Sequence, residues 1–120
     1  MGQPLPRQDT PRTGDGPVFD LIHLQSMTLG DDGLARELLS LFDTQAKRLT
    51  ERMQSCETAA LATLAHTLKG SAVGIGAMQV AHAARTLEQA GDAAARVEAV
   101  LRLTDAVAAA RSAIAEVLRG

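Results

Sequence analysis

Every proline in the chain lies at or before position 17. Pro4, Pro6, Pro11 and Pro17 are the full set, and residues 18–120 contain none. A proline inside a helix costs about 3 kcal/mol, so a proline-free stretch of this length favours helix throughout. It is also rich in Ala, Leu, Arg, Glu and Gln, which lose little on entering a helix. Aromatics are nearly absent, Phe19 and Phe42 being the only two. The first 17 residues differ in kind. Besides the prolines they hold Gly2, Gly14 and Gly16, and their only large apolar residues are Met1 and Leu5. Such a segment cannot bury enough surface to offset its ordering entropy, so residues 1–17 are expected to form a flexible arm. Residues 18–120 are expected to form one all-α domain.

Apolar periodicity divides that domain into five helical segments. A short one runs from about Asp20, its N-cap, to Leu29, with Gly30 as the stop. The second runs from about Asp32 to Gln54, with Leu34, Leu38, Leu41, Phe42, Leu49 and Met53 as its apolar stripe. The third begins at Ser55 or Glu57 and reaches Val73, where Gly74 and Gly76 end it. The fourth runs from Ala77 to Ala90, with Gly91 as the C′ residue. Asp92 caps the fifth, which reaches about Leu118 with Val97, Val100, Leu101, Val107, Ile114, Val117 and Leu118 on its apolar side. Links this short imply antiparallel neighbours. The expected architecture is an antiparallel up-down-up-down four-helix bundle with the short first helix laid across one end.

Several function classes fall away. A net charge of −2 argues against general nucleic-acid binding. A single cysteine, Cys56, allows neither an internal disulfide nor a cysteine-based zinc site. His23, His66 and His82 are not paired at helical spacing with other strong ligands, so no metal site is expected. There is no secretory h-region and no apolar run of about 18 residues, so no membrane partner is expected and a cytoplasmic protein is the plain reading.

The segment 65–77, AHTLKGSAVGIGA, holds the one unusual arrangement. With 100° per residue and His66 at zero, Leu64 and Leu68 fall about 160° away and Leu61 about 140° away. The leucines mark the buried face, and His66 points at water. Lys69 and Gly70 share the histidine's face, as do Ala62, Thr63 and Val73. A free histidine titrates near pH 6.5, so it can present a neutral ring nitrogen as a nucleophile. A lysine one turn away can offset the charge of a phosphoryl group, which is about −1.5 to −2 at pH 7. A glycine beside it leaves room for a second protein. Lysine is otherwise scarce, Lys47 being the only other against ten arginines.

His66-Thr67-Leu68-Lys69-Gly70-Ser71, followed by Gly76-Ala77, closely resembles the signature of histidine-containing phosphotransfer (HPt) domains. The resemblance extends over most of residues 20–118, including Phe42 and the pair Leu87-Glu88. It implies a four-helix bundle carrying a phosphoryl group on His66 Nε2 between receiver-domain aspartates of a hybrid histidine kinase and a response regulator. It also implies charge neutralisation by Lys69, a docking surface cleared by Gly70, and a hydrogen bond to Nδ1 from Glu88 or, depending on helix rotation, Gln89. Ala62, Thr63 and Val73 would form the docking rim. No cofactor is implied for this chain; the magnesium ion would sit on the partner receiver. The third helix departs from the family pattern at its start, SCETAAL, which lacks the aspartate often found there.

Two other classes remain in view. A helical adaptor or dimerisation module would account for the amphipathic helices but not for Lys69 and Gly70 on the outer face. The phosphoacceptor part of a sensor kinase would need an ATP-binding domain, for which these 120 residues have no room. The mixed charges of Arg36, Glu37, Lys47, Arg48, Glu51 and Arg52 suggest an ordinary exposed face. A monomer is the simpler expectation, since four helices can bury their apolar faces on one another.

Overall fold

The computed structural model describes residues 20–55 and 57–120. The expected arm, 1–17, and Cys56 lie outside the described residues. Five helices and no strand occur within them: α1 Leu21–Met27, α2 Asp32–Met53, α3 Thr58–Ile75, α4 Met78–Gln89 and α5 Ala93–Arg119. Three of the helix starts have side-chain caps. Asp20 Oδ1 accepts from His23 N at 3.1 Å, Asp31 Oδ1 from Leu34 N at 3.0 Å, and Asp92 Oδ1 from Ala95 N at 2.8 Å. Each satisfies one of the amides that a helix leaves unpaired in its first turn. Glu57 precedes α3 without a side-chain cap, as the missing aspartate implies.

Around the core, α2 packs on α3, α3 on α4, α4 on α5, and α5 back on α2. Helices α3 and α5 lie diagonally across the core, with no Cα pair within 8 Å. Pairings show the directions: Arg36 reaches the carbonyls of Val117 and Leu118, and Asp43 pairs with Arg111 at 2.8 Å, so α2 and α5 run oppositely. Arg36 is therefore more than part of a solvated face. It adds a side-chain donor to two carbonyls in the last turn of α5, that of Val117 also accepting from Gly120 N at 3.2 Å.

Leu24, Leu39, Leu68, Val80, Leu103 and Ile114 are the largest fully buried side chains. Between them the helices meet through alanines, with Ala46, Ala65, Ala72, Ala84 and Ala110 wholly inaccessible. This corrects two of the expected stripes. Leu34 and Leu41 of α2 are exposed, as are Val97 and Leu101 of α5, while Leu39 and Leu103 hold the core. Alanine on the buried faces lets backbones approach closely, and the larger residues one position away then fall outside.

Three helix ends also differ from expectation. Helix α3 continues through Gly74 to Ile75, and Gly76 alone ends it, at φ 83°. Ala77 N donates to Ala72 O at 2.8 Å and Gly76 N to Val73 O at 3.1 Å, the Schellman pattern. Helix α4 ends in extended backbone at Ala90, so Gly91 is not a left-handed C′ residue. Helix α1 stops at Met27, and both Leu29 and Gly30 take positive φ before α2 begins.

Gly76 also ties α1 to the bundle. Its carbonyl accepts from Asp20 N at 2.8 Å. A Cβ at this position would lie 3.0 Å from Asp20 O and 3.2 Å from His23 Cδ2. Gly30 has a similar φ of 81° but open space around it. Gly30→Ala should therefore lose only the left-handed penalty, about 1–2 kcal/mol. Gly76→Ala should lose more in urea unfolding, because the turn or α1 must also shift. Equal losses would mean that α1 yields freely.

Candidate phosphoacceptor site

His66 lies midway along α3, with its side chain 71% exposed, while Leu64 and Leu68 on the opposite face are buried. The turn at Gly76 brings α4 back alongside, and Glu88 then faces the histidine across the pair. Glu88 Oε2 lies 2.9 Å from His66 Nδ1, and Glu88 Oε1 lies 2.7 Å from Lys69 Nζ. One carboxylate thus engages both residues, one oxygen each. It is Glu88, not Gln89, that takes the histidine.

The tautomer follows from this contact. An ionised carboxylate can only accept, so Nδ1 carries the hydrogen and donates it. In the neutral ring Nε2 then keeps the lone pair, on the side away from Glu88. Lys69 is half-buried and held by Glu88 within one helical turn of the ring.

The Glu88 carboxyl is held below the usual carboxylate range. The hydrogen bond from Lys69 is the largest cause and that from His66 the next, while partial desolvation acts the other way. A lowered folded-state pKa means that the carboxylate's contribution to stability is complete above the unfolded-state pKa. It is lost as pH falls through the folded value.

Ala62, Thr63 and Val73, the expected rim, are all exposed, as is Gly70. A Cβ on Gly70 would meet no atom within 4 Å, so packing inside this molecule does not require the glycine. On the α4 side an open groove of about 700 Å³ runs beside the site, lined by Lys69, Val73, Met78, His82, Arg85 and Glu88. Arg85 and Met78 are not marked by the sequence pattern around His66. The only available signal was that Arg85 precedes Glu88 by three, the spacing that stacks side chains on one helix face. Among the described residues no group of three His, Cys, Asp or Glu side chains is placed to hold a metal ion.

An exposed histidine with a free Nε2, an oriented ring and an adjacent cation is a nucleophile set out for an incoming electrophile. The chain matches the Hpt domain family over residues 33–113, more than half its length. It belongs to that family, whose members carry phosphoryl groups on histidine in two-component signalling and are not kinases. Neither the curated proteins nor the solved structures contain a match to it.

The pairing predicts a titration. Followed by carboxyl ¹³C NMR, Glu88 should ionise below the ordinary carboxylate range of about 4.3. Lys69→Ala should raise its midpoint more than His66→Ala does. A midpoint unmoved by Lys69→Ala would contradict the contact.

Proposed function

We propose that His66 accepts a phosphoryl group from the aspartate of a receiver domain and passes it to the aspartate of another. The four long helices would form the family's antiparallel up-down-up-down bundle, with residues 18–120 as its domain and α1 across one end. The observation that carries the proposal is the single carboxylate of Glu88 holding both Nδ1 of His66 and Nζ of Lys69.

In the forward step the Nε2 lone pair attacks phosphorus, an N–P bond forms, and the P–O bond to the receiver aspartate breaks. The carboxylate leaves on the receiver. The ring then bears substituents on both nitrogens and a positive charge, and its proton stays on Nδ1 against Glu88. Catalysis of this kind is mostly positioning and electrostatics. Lys69 would turn from Glu88 toward the phosphoryl oxygens. The reverse step uses the same groups, so the carrier can run either way. Glu88 is a positioning residue: it touches the ring, not the phosphorus.

The receiver would bring the magnesium ion, and this chain would bind no cofactor. Ala62, Thr63, Gly70 and Val73 would meet the receiver directly. A monomer acting in the cytoplasm fits this role, and no helix among the described residues is long and apolar enough to cross a membrane.

Incubation with a panel of phosphorylated receivers and magnesium should place acid-labile label on the wild type and none on His66→Gln. Lys69→Ala should slow transfer about tenfold or more, equivalent to ~1.4 kcal/mol of barrier, with its helical content intact. Gly70→Glu should slow transfer by a similar factor, because it puts bulk and negative charge beside Nε2. Label that persists in His66→Gln would remove the histidine from the mechanism. Partner binding that survives without any labelling would favour the adaptor reading.

A further inference from the structure

The groove on the α4 flank has a chemistry of its own. Val73 and Met78 give it apolar surface, 45% and 48% exposed. Two cations, Lys69 and Arg85, line it against one carboxylate, Glu88, which already holds Lys69 and His66. The guanidinium groups of Arg36, Arg102, Arg111 and Arg119 have hydrogen-bond partners, while those of Arg48, Arg52 and Arg96, outside the groove, have none among the described residues. Neither the Arg85 guanidinium nor the His82 ring has one among the described residues. With Lys69 paired to Glu88, the groove of a protein of net charge −2 carries one excess positive charge, at Arg85, beside His66.

We propose that this groove is the surface by which the carrier selects its receiver. Arg85 would pair with a carboxylate on the rim of the receiver's acceptor site, and His82 would lie beside it. Val73 and Met78 would seat an apolar edge of the same partner. The inference rests on the phosphotransfer reading.

Geometry and charge both favour a receiver as the occupant. The group that must reach Nε2 is a receiver aspartate, so the partner's mouth is itself acidic. A standard interface covers about 800 Å² on each partner, a patch roughly 28 Å across. Arg85 lies three residues before Glu88, about 4.5 Å along α4. A partner centred on His66 therefore covers the groove. Side chains lean toward the N-terminus of their helix, so Arg85 leans from the histidine toward Val73 and Met78. That position suits recognition more than chemistry. Charges of this kind act on encounter rate and partner choice.

The test uses the full chain and the receiver that transfers fastest in the panel. Arg85→Glu should raise the receiver concentration for half-maximal transfer about tenfold at low salt and flatten its salt dependence. The rate at saturating receiver should stay within about twofold of wild type. Arg102→Glu makes the same change in net charge on α5, no Cα of which comes within 8 Å of α3, and should behave as wild type. Labelling of His66 by phosphoramidate, which needs no receiver, should be equal in all three. Unchanged half-saturation in Arg85→Glu, or a loss confined to the saturating rate, would overturn the groove assignment. So would a dimer in sedimentation that Arg85→Glu dissociates, since the occupant would then be a second copy. Wild type that takes label from neither phosphoramidate nor any receiver would overturn the phosphotransfer reading instead.

Discussion

The site depends on the register of one helical hairpin, and that register is set at Gly76. A left-handed residue there closes α3 with two carbonyl bonds and releases α4 in the opposite direction. His66 and Glu88 lie equally far from Ala77 along the chain, so they come level across the pair. Side-chain direction then completes the cluster. On α3, Lys69 leans back toward the level of His66; on α4, Glu88 leans toward the turn and meets it. Slipping the hairpin by one residue would rotate each helix by about 100° and separate all three groups. The same glycine accepts the bond that anchors α1, so the end of the bundle and the His66 cluster share one fixed point.

Glu88 matters for direction more than for strength. Ion pairs in partial contact with water contribute little to stability. This one fixes which nitrogen of the neutral ring is protonated, and it holds a flexible lysine within one helical turn of that ring. A neutral amide at this position could hold the ring but would offer Lys69 no charge. The carboxylate thus links the state of the ring to the position of the cation.

The site was more legible in the sequence than the packing. His66, Lys69 and Gly70 fall within one helical turn, where the 100° rotation leaves little room for error, and Leu64 and Leu68 fix the buried side. Glu88 was legible only through resemblance, because its partner lies across a turn; choosing it over Gln89 needed the actual rotation of α4. The core misled because alanine carries so little signal. Leu39 is buried while Leu41 is not, and Leu103 is buried while Leu101 is not. Either leucine of each pair fits a helical stripe, and the choice is made by Ala46, Ala99 and Ala110, whose small size lets the helices close on that face. Arg36 looked like one more surface charge because the carbonyls it bonds lie at the far end of the sequence. Gly91 looked like a helix stop, but extended backbone at Ala90 had already ended α4.

The two flanks of His66 are unlike, and this has a consequence for docking. Rotation along α3 puts Lys69 about 60° to one side of the histidine, toward α4, and puts Gly70 and Gly74 about 40° and 80° to the other. Neither glycine has an atom within 4 Å of a would-be Cβ, so nothing inside the molecule requires them. Each weakens α3 by about 1 kcal/mol relative to alanine, a cost that the buried Leu64, Leu68, Ala72 and Ile75 can offset. The result is one bare flank of backbone and one raised flank carrying Lys69, Arg85 and His82. An incoming domain therefore meets a surface without mirror symmetry, low on one side and cationic on the other. Such a surface can orient a partner before any bond is made, which a histidine standing alone on a uniform helix could not do.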